Sequence, residues 1–509
     1  MKRPTFSLAA GMALLLFSLP AEAAKTLEKT PANGQTRPAA GLKLAGMFAS
    51  NMVLQRNTEA PIWGSAKPGA KVEIQPSWSR SAIKAVADRD GKWSAKLKTP
   101  KASTGLSIEV TSGDDSVKLK NVLSGEVWIC SGQSNMQWKM RGFGPDYFKE
   151  DVEKAKYPNI RFCDVPQIIA LEEQDDVRAR WTVCNPNSVL SFSAVAYFFG
   201  SRLHQELDVP IGLVSTNWGG SAIEGWIRSD LLAEELKGYK QQAAKYPEWK
   251  RKLGVLHRRS GKKPKGLNQS APSVLYNSMI KPLIPFAFRG VIWYQGESNV
   301  KRPYEYAKLF PLMINDWRKQ WGQGDFPFYF VQIAPYQYKH EPYPAALLRE
   351  AQLKALSVPN TGMVVTMDVG NVTNIHPKDK KPVGERLALL ALARDYGKKG
   401  VVDSGPSYRS ASVRGSTMVL EFDDIGSGLV AKDGADLSHF TIAGKNKEFV
   451  PAKAVIKGNK VIVSSPEVKK PAAVRFGWGN ADFTNLANKE GLPASSFRTD
   501  DWDIHANSK

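Results

Sequence analysis

Cysteine is scarce: three residues in a chain of 509. That is too few for a disulfide scaffold, and the spacing of Cys130, Cys163 and Cys184 fits no zinc site. Histidine is also scarce, at six residues, so any imidazole chemistry has few candidates. P-loop, HExxH and GxGxxG patterns are missing, which removes the obvious nucleotide and metal readings. No cofactor and no metal is expected. Beyond the first twenty residues no apolar run is long enough for a membrane helix, so no stable membrane insertion is expected.

Acids are outnumbered, 49 against 70 Lys and Arg, for a net charge of +21. Hydrophobic residues make up 42%, which is globular composition and not disorder. The 41 Gly and 32 Pro imply many turns and a large β component.

The first segment reads as a targeting signal. Lys2 and Arg3 precede the apolar stretch Leu8–Leu19, Pro20 breaks it, and Ala21-Glu22-Ala23 offers a cleavage site. A signal peptide over 1–23 and a Pro/Gly-rich linker over 24–41 are expected. The chain is then exported, periplasmic or secreted. An exported basic protein does not meet genomic nucleic acid. An acidic glycan is one partner for the charge, and a merely solvated surface is the other. In an oxidising compartment Cys163 and Cys184 could pair, while Cys130 reads as a buried free thiol.

Three bodies follow. Over 42–124, the short strands Val72–Ile74, Ala82–Val86, Trp93–Leu97 and Leu106–Val110 alternate with turns, as in a small β-sandwich. Over 125–403, apolar strands alternate with helices. The strands are Glu126–Cys130, Ile211–Ser215, Gly290–Tyr294, Phe328–Gln332 and Met363–Met367. The helices include Ala194–Leu207, capped by Ser193, and Gly384–Tyr396. That alternation predicts a mostly parallel sheet covered on both faces, with its site at the carboxyl ends of the strands. A second β region fills 404–509, with strands Thr417–Phe422, Lys460–Val463 and Ala473–Phe476.

Four strand ends carry reactive residues. Ser134 follows Cys130 at a strand-to-helix turn, where α/β hydrolases expose a nucleophile; a plain helix cap would look the same. Gly219-Gly220 follows the second strand. Gln295 and Glu297 follow the third; Gln295 could donate to an oxyanion, and Glu297 could bind a sugar hydroxyl or orient its neighbours. His376, with Pro377 behind it, is the histidine placed beyond a strand of the central body, and a serine needs such a base. Tyr336 and Tyr338 could stack on a sugar or merely pack a loop.

Taken together, the chain resembles the sialate O-acetylesterases of the SGNH hydrolase superfamily. The resemblance runs from Phe48–Arg56 and Ile62–Gly64 through Gly125–Met136, Leu275–Ile280, Trp293–Asn299 and His376–Lys380 to Gly491–Asp500. It implies a three-layer α/β/α SGNH-hydrolase sheet flanked by N-terminal and C-terminal β-sandwich-like regions. It implies Ser134 as nucleophile and His376 as base. The oxyanion hole would be the Ser134 N–H, the N–H of Gly219 or Gly220, with Gly220 the choice, and the Gln295 side chain; Glu297 and Asn135 are expected to contact substrate. The implied reaction removes O-acetyl groups from sialic acid or a related glycan through an acetyl-serine. Xylan or another polysaccharide is the alternative substrate, and a non-catalytic glycan-binding protein the alternative class.

One position departs from the superfamily pattern. An Asp is expected three residues before the histidine, and Thr373 stands there. Either Asn374 or a backbone carbonyl supports a Ser–His dyad, or Asp368 reaches in, or activity is weak; a dyad is expected. The basic stretch 250–265 is either a solvated loop or a contact for an anionic glycan.

Overall fold

A computed structural model describes residues 41–504, apart from 145, 236–237, 254–255, 259–263 and 340–343. The expected signal peptide and nearly all of the expected linker lie outside the described residues, as does much of the basic stretch. Two pieces of that stretch are described: helix Tyr246–Leu253, whose Lys250 pairs with Glu172, and strand Leu256–Arg258.

The centre is a sheet of strands β1 (Asp115–Gly132), β2 (Ile160–Asp164), β3 (Arg180–Val183), β4 (Ile211–Asn217), β5 (Gly290–Tyr294), β6 (Phe328–Val331) and β7 (Thr361–Val364). Their spatial order is β3-β2-β4-β1-β5-β6-β7. All neighbours are parallel except the edge strand β3, which runs antiparallel to β2. From β1 the chain builds β2, β3 and β4 on one side, with β4 beside β1, and then crosses to β5 on the other side of β1. In open α/β sheets a ligand crevice forms at such a switch, beyond the carboxyl ends of the strands.

The strands alternate strictly between two cores, as a fully covered pleated sheet requires. Val127, Ile129, Val291, Trp293, Phe328 and Phe330 face one core, packed under helices α2 (Pro303–Trp321) and α3 (Pro344–Lys354). Trp128, Cys130, Ile292, Tyr294, Tyr329 and Val331 face the other, under α1 (Ala194–Leu207) and α4 (Lys381–Arg394). Trp293 is fully buried and meets Trp226 and Trp317 edge-on. Burying one such ring contributes about 1.5–3 kcal/mol. Ser193 caps α1 by accepting the Ala196 N–H at 3.1 Å.

The expected three-layer fold is present, with two adjustments in detail. Strand β7 ends at Val364, not Met367, so His376 sits twelve residues into a long loop. The cysteines do not pair: all three are free and buried. Cys163 on β2 faces the core under α2, whereas Cys184 belongs to the opposite core, so the sheet itself separates them. Burial pushes the Cys184 thiol up to about 12.

Strand β1 passes straight through position 124. Its first half pairs antiparallel with Ser103–Ser112, and its second half is the middle of the central sheet. The N-terminal β region adds a three-stranded sheet of Lys43–Leu44, Glu59–Ser65 and Lys92–Lys98. The C-terminal region has two four-stranded antiparallel sheets around Leu420, Phe422, Ile442, Val461, Val474 and Phe476. It is fastened to α3 by the buried Arg349, which donates to the carbonyls of Gly477 (3.0 Å) and Gly479 (2.6 Å) and to Ser496 Oγ (3.2 Å). Among the described residues no helix is long and apolar enough to cross a membrane.

Candidate active site

Gly132 ends β1 at a φ of +131°, which an L side chain rarely adopts; a Cβ there would lie 2.2 Å from the Tyr294 carbonyl oxygen. The tight join of β1 to β5 therefore requires glycine. After it the chain turns into a single helical turn, Ser134–Gln137, whose first residue is the serine. This presents Ser134 at the crevice, half-buried.

His376 arrives from the loop after β7. Its Nε2 lies 2.8 Å from Ser134 Oγ. The imidazole packs beside the Trp138 ring, with centroids 5.1 Å apart and planes 31° from parallel. Burial, and then the Lys380 charge, hold His376 below its ordinary value of 6.5. Both effects favour the neutral form of the ring.

The expected orienting groups go elsewhere. Asp368 forms a two-pronged ion pair with Arg386 (2.8 and 2.6 Å) and a third contact with Lys432 (2.6 Å). Burial works to raise this carboxyl, and the two cations overcome it and hold it below the usual range. Asp368 thus braces α4 and the C-terminal region, not the imidazole. Asn374 is exposed, and its Oδ1 accepts the His376 backbone N–H at 2.9 Å, not a ring nitrogen. Among the described residues nothing hydrogen-bonds the His376 Nδ1. What the structure brings together is a pair, serine and histidine.

The donors facing Ser134 also differ from expectation. Gly219 lies against the serine, and its N–H is taken by Gln137 Oε1 at 2.5 Å. Among the described residues, the N–H groups of Ser134 and Gly220 have no protein acceptor. Gln295 is fully buried, and both of its amide hydrogens are spent, on the Ser221 carbonyl (3.2 Å) and on Asn299 Oδ1 (2.8 Å). Gln295 therefore does not point a donor at the serine. It works from beneath, holding the carbonyl that follows Gly220.

Asn135 and Glu297, expected to touch substrate, form part of the floor. They are 1% and 7% exposed. Asn135 Nδ2 donates to Glu297 Oε1 at 2.5 Å and to the Ile375 carbonyl at 3.1 Å, while its Oδ1 accepts from Lys380 Nζ at 2.5 Å. Tyr338 is also buried, edge-on to Tyr336, and packs the loop.

Gln137, Trp138 and Lys380 are site residues that sequence reasoning passed over. Gln137 and Trp138 directly follow the Ser131–Met136 run, and Lys380 ends the His376–Lys380 run. Their nearness to those runs was the available signal. Among the described residues, no group of three or more His, Cys, Asp or Glu is placed to hold a metal ion.

A hydroxyl held by an imidazole, with unspent amides beside it, at the switch point of a covered parallel sheet, is the arrangement of a serine carboxylic-ester hydrolase. Comparison with known proteins narrows the class. Residues 124–393 match the family described as "Carbohydrate esterase, sialic acid-specific acetylesterase". Mouse sialate O-acetylesterase is 32% identical over 424 residues, covering 75% of this chain and 78% of the mouse protein. The human sialate O-acetylesterase is 31% identical over 402 residues, covering 72% and 73%. The crystal structure of a carbohydrate acetylesterase from Xanthomonas citri aligns with a TM-score of 0.80 at 36% identity, over 90% of this chain and 100% of that one. The chain belongs to the sialic acid-specific acetylesterase family and is a carbohydrate esterase that removes O-acetyl groups.

Proposed function

We propose that Ser134 and His376 carry the reaction as a dyad. The observation supporting this is the 2.8 Å contact between His376 Nε2 and Ser134 Oγ at the switch-point crevice. His376 takes the Ser134 proton as Oγ attacks the acetyl carbonyl. The oxyanion lies against the N–H groups of Ser134 and Gly220. Each such donor contributes about 2.7–4 kcal/mol to the transition state. His376 then returns the proton to the departing sugar oxygen, leaving an acetyl-serine. Water, deprotonated by the same imidazole, attacks that ester and releases acetate and free Ser134.

The pH dependence follows from the state of the imidazole. The base must be neutral, and His376 is held below 6.5. Activity should therefore persist further into acid than a free imidazole would allow. The acid limb of kcat/KM on p-nitrophenyl acetate is expected below pH 6.5; a limb at or above that value would count against His376 as the base.

For substrate, the first reading is an O-acetylated sialic acid or related glycan, supported by the mouse and human relatives, which are sialate O-acetylesterases. The second is an acetylated xylan or other polysaccharide. The bacterial relative, at 36% identity against 32% for the mouse enzyme, is described only as a carbohydrate acetylesterase, a description that fits either substrate. Acetate release from O-acetylated sialic acid and from acetylated xylan, measured side by side, separates the two. A kcat/KM on xylan above that on the sialic acid would remove the first reading.

A further inference from the structure

The His376 loop presents a problem of mechanics. In a serine triad an acid holds the imidazole by its second nitrogen, fixing tautomer and orientation. Here Thr373 replaces that acid, Asp368 is locked to Arg386 and Lys432, and Asn374 binds only backbone. A twelve-residue excursion from β7 nevertheless delivers the ring to 2.8 Å from the serine. Something must pin that loop.

One side chain touches it at two places. Asn135 immediately follows the nucleophile. Its Nδ2 holds the carbonyl of Ile375, the residue before His376, at 3.1 Å. Its Oδ1 holds Lys380 Nζ, four residues after His376, at 2.5 Å. The remaining Nδ2 hydrogen goes to Glu297 Oε1 at 2.5 Å, anchoring the amide to the turn beyond β5. Asn135, Glu297 and Lys380 are 1%, 7% and 0% exposed, so these bonds form away from water, where a polar contact is hard to exchange. Lys380 also lies over the Tyr294 ring, 5.4 Å from its centroid.

We propose that Asn135, Glu297 and Lys380 are positioning residues of this esterase, a buried amide latch that fixes the His376 loop to the residue after the nucleophile. The latch does through the loop backbone what a carboxylate on the imidazole does in a triad. The inference rests on the reading of Ser134 and His376 as the reacting pair.

The latch also sets the field around the base. His376 is faced by Ser134, Trp138 and Lys380, and Lys380 is the charged group that lowers it. Lys380 in turn faces Asn135, the Tyr294 ring, Glu297 and Asp379. Burial brings Lys380 down to about 7, opposed by the two carboxylates. Removing the lysine removes a positive neighbour, so His376 should rise toward 6.5.

The test uses the full chain and p-nitrophenyl acetate, whose small leaving group makes no sugar contacts. Asn135→Ala should lower kcat by about 100-fold, the loss typical of a misplaced reacting group, with KM within about threefold of wild type. Glu297→Ala should behave alike, and Glu297→Gln, which still offers an oxygen to Asn135, should recover most of kcat. Lys380→Met fills the same buried space without charge and should shift the acid limb of kcat/KM to higher pH. This arm remains decisive if Asn135→Ala does not fold. Wild-type kcat in Asn135→Ala, or an unmoved acid limb in Lys380→Met, overturns the proposal. Ser134→Ala in the same assay keeps the two levels apart. If it stays active, the dyad reading fails; if it is dead while Asn135→Ala runs at full speed, only the latch fails.

Discussion

Ser134→Ala is expected to abolish hydrolysis of p-nitrophenyl acetate, with kcat falling on the order of 10⁴–10⁶-fold, as loss of a nucleophile does in serine hydrolases. The size follows from chemistry that has no substitute at this site. Without Oγ no acetyl-enzyme forms, and the remaining donors can only polarise an ester for attack by water. The fold should not change. Ser134 opens a single helical turn, its backbone geometry suits alanine, and the substitution removes one hydrogen bond, that to His376. Equal melting temperatures with no turnover, and no labelling by a fluorophosphonate probe, is the expected set of results. An alanine variant that turns over at wild-type rate would end the assignment of Ser134 as the nucleophile.

The largest expected loss of stability comes from a residue far from any reacting atom. Arg349 is fully buried on α3, and burial lowers it to about 10, so it remains charged at neutral pH. Its guanidinium holds two carbonyls and one hydroxyl of the C-terminal β region. Arg349→Met would leave those acceptors without their donor, each at about 1–3 kcal/mol. Relief of the buried charge offsets part of this, and a net loss of about 3–5 kcal/mol is expected. That is a large fraction of the total stability of an ordinary domain. Urea unfolding followed by tryptophan fluorescence checks it. A midpoint equal to wild type would show that the C-terminal region is held by its other contacts, such as Lys432 with Asp368 and Arg498 with Glu350.

Much of this architecture was readable because it rests on local pattern. Gly290–Tyr294 is five apolar residues between turns, and it is a strand over those same residues. Helix Ala194–Leu207 announces itself by its cap and its apolar face, and it begins and ends where that pattern does. Ser134 and His376 could be paired because each follows a strand of one parallel sheet, and such strands deliver their ends to a common edge.

What could not be read depends on where distant side chains turn. Gln295 follows a strand as an oxyanion donor should, but the Ser221 carbonyl and Asn299 claim both of its hydrogens. Asp368 is near His376 in sequence, but Arg386 and Lys432 reach it first. Cys163 and Cys184 looked available to each other because strands Ile160–Asp164 and Arg180–Val183 were not drawn. Once the sheet is known, the two thiols fall on its opposite faces.

Strand β1 has a consequence for anyone wishing to rebuild this molecule. Ser134, the proposed nucleophile, stands two residues past the end of a strand whose opening half belongs to the small N-terminal sheets. The front portion is therefore no detachable cassette. Cutting before residue 125, or grafting a foreign module there, severs the rail along which the reactive hydroxyl is set in place. Swaps intended to retarget the enzyme should keep everything from Asp115 to Gly132 as one uninterrupted piece.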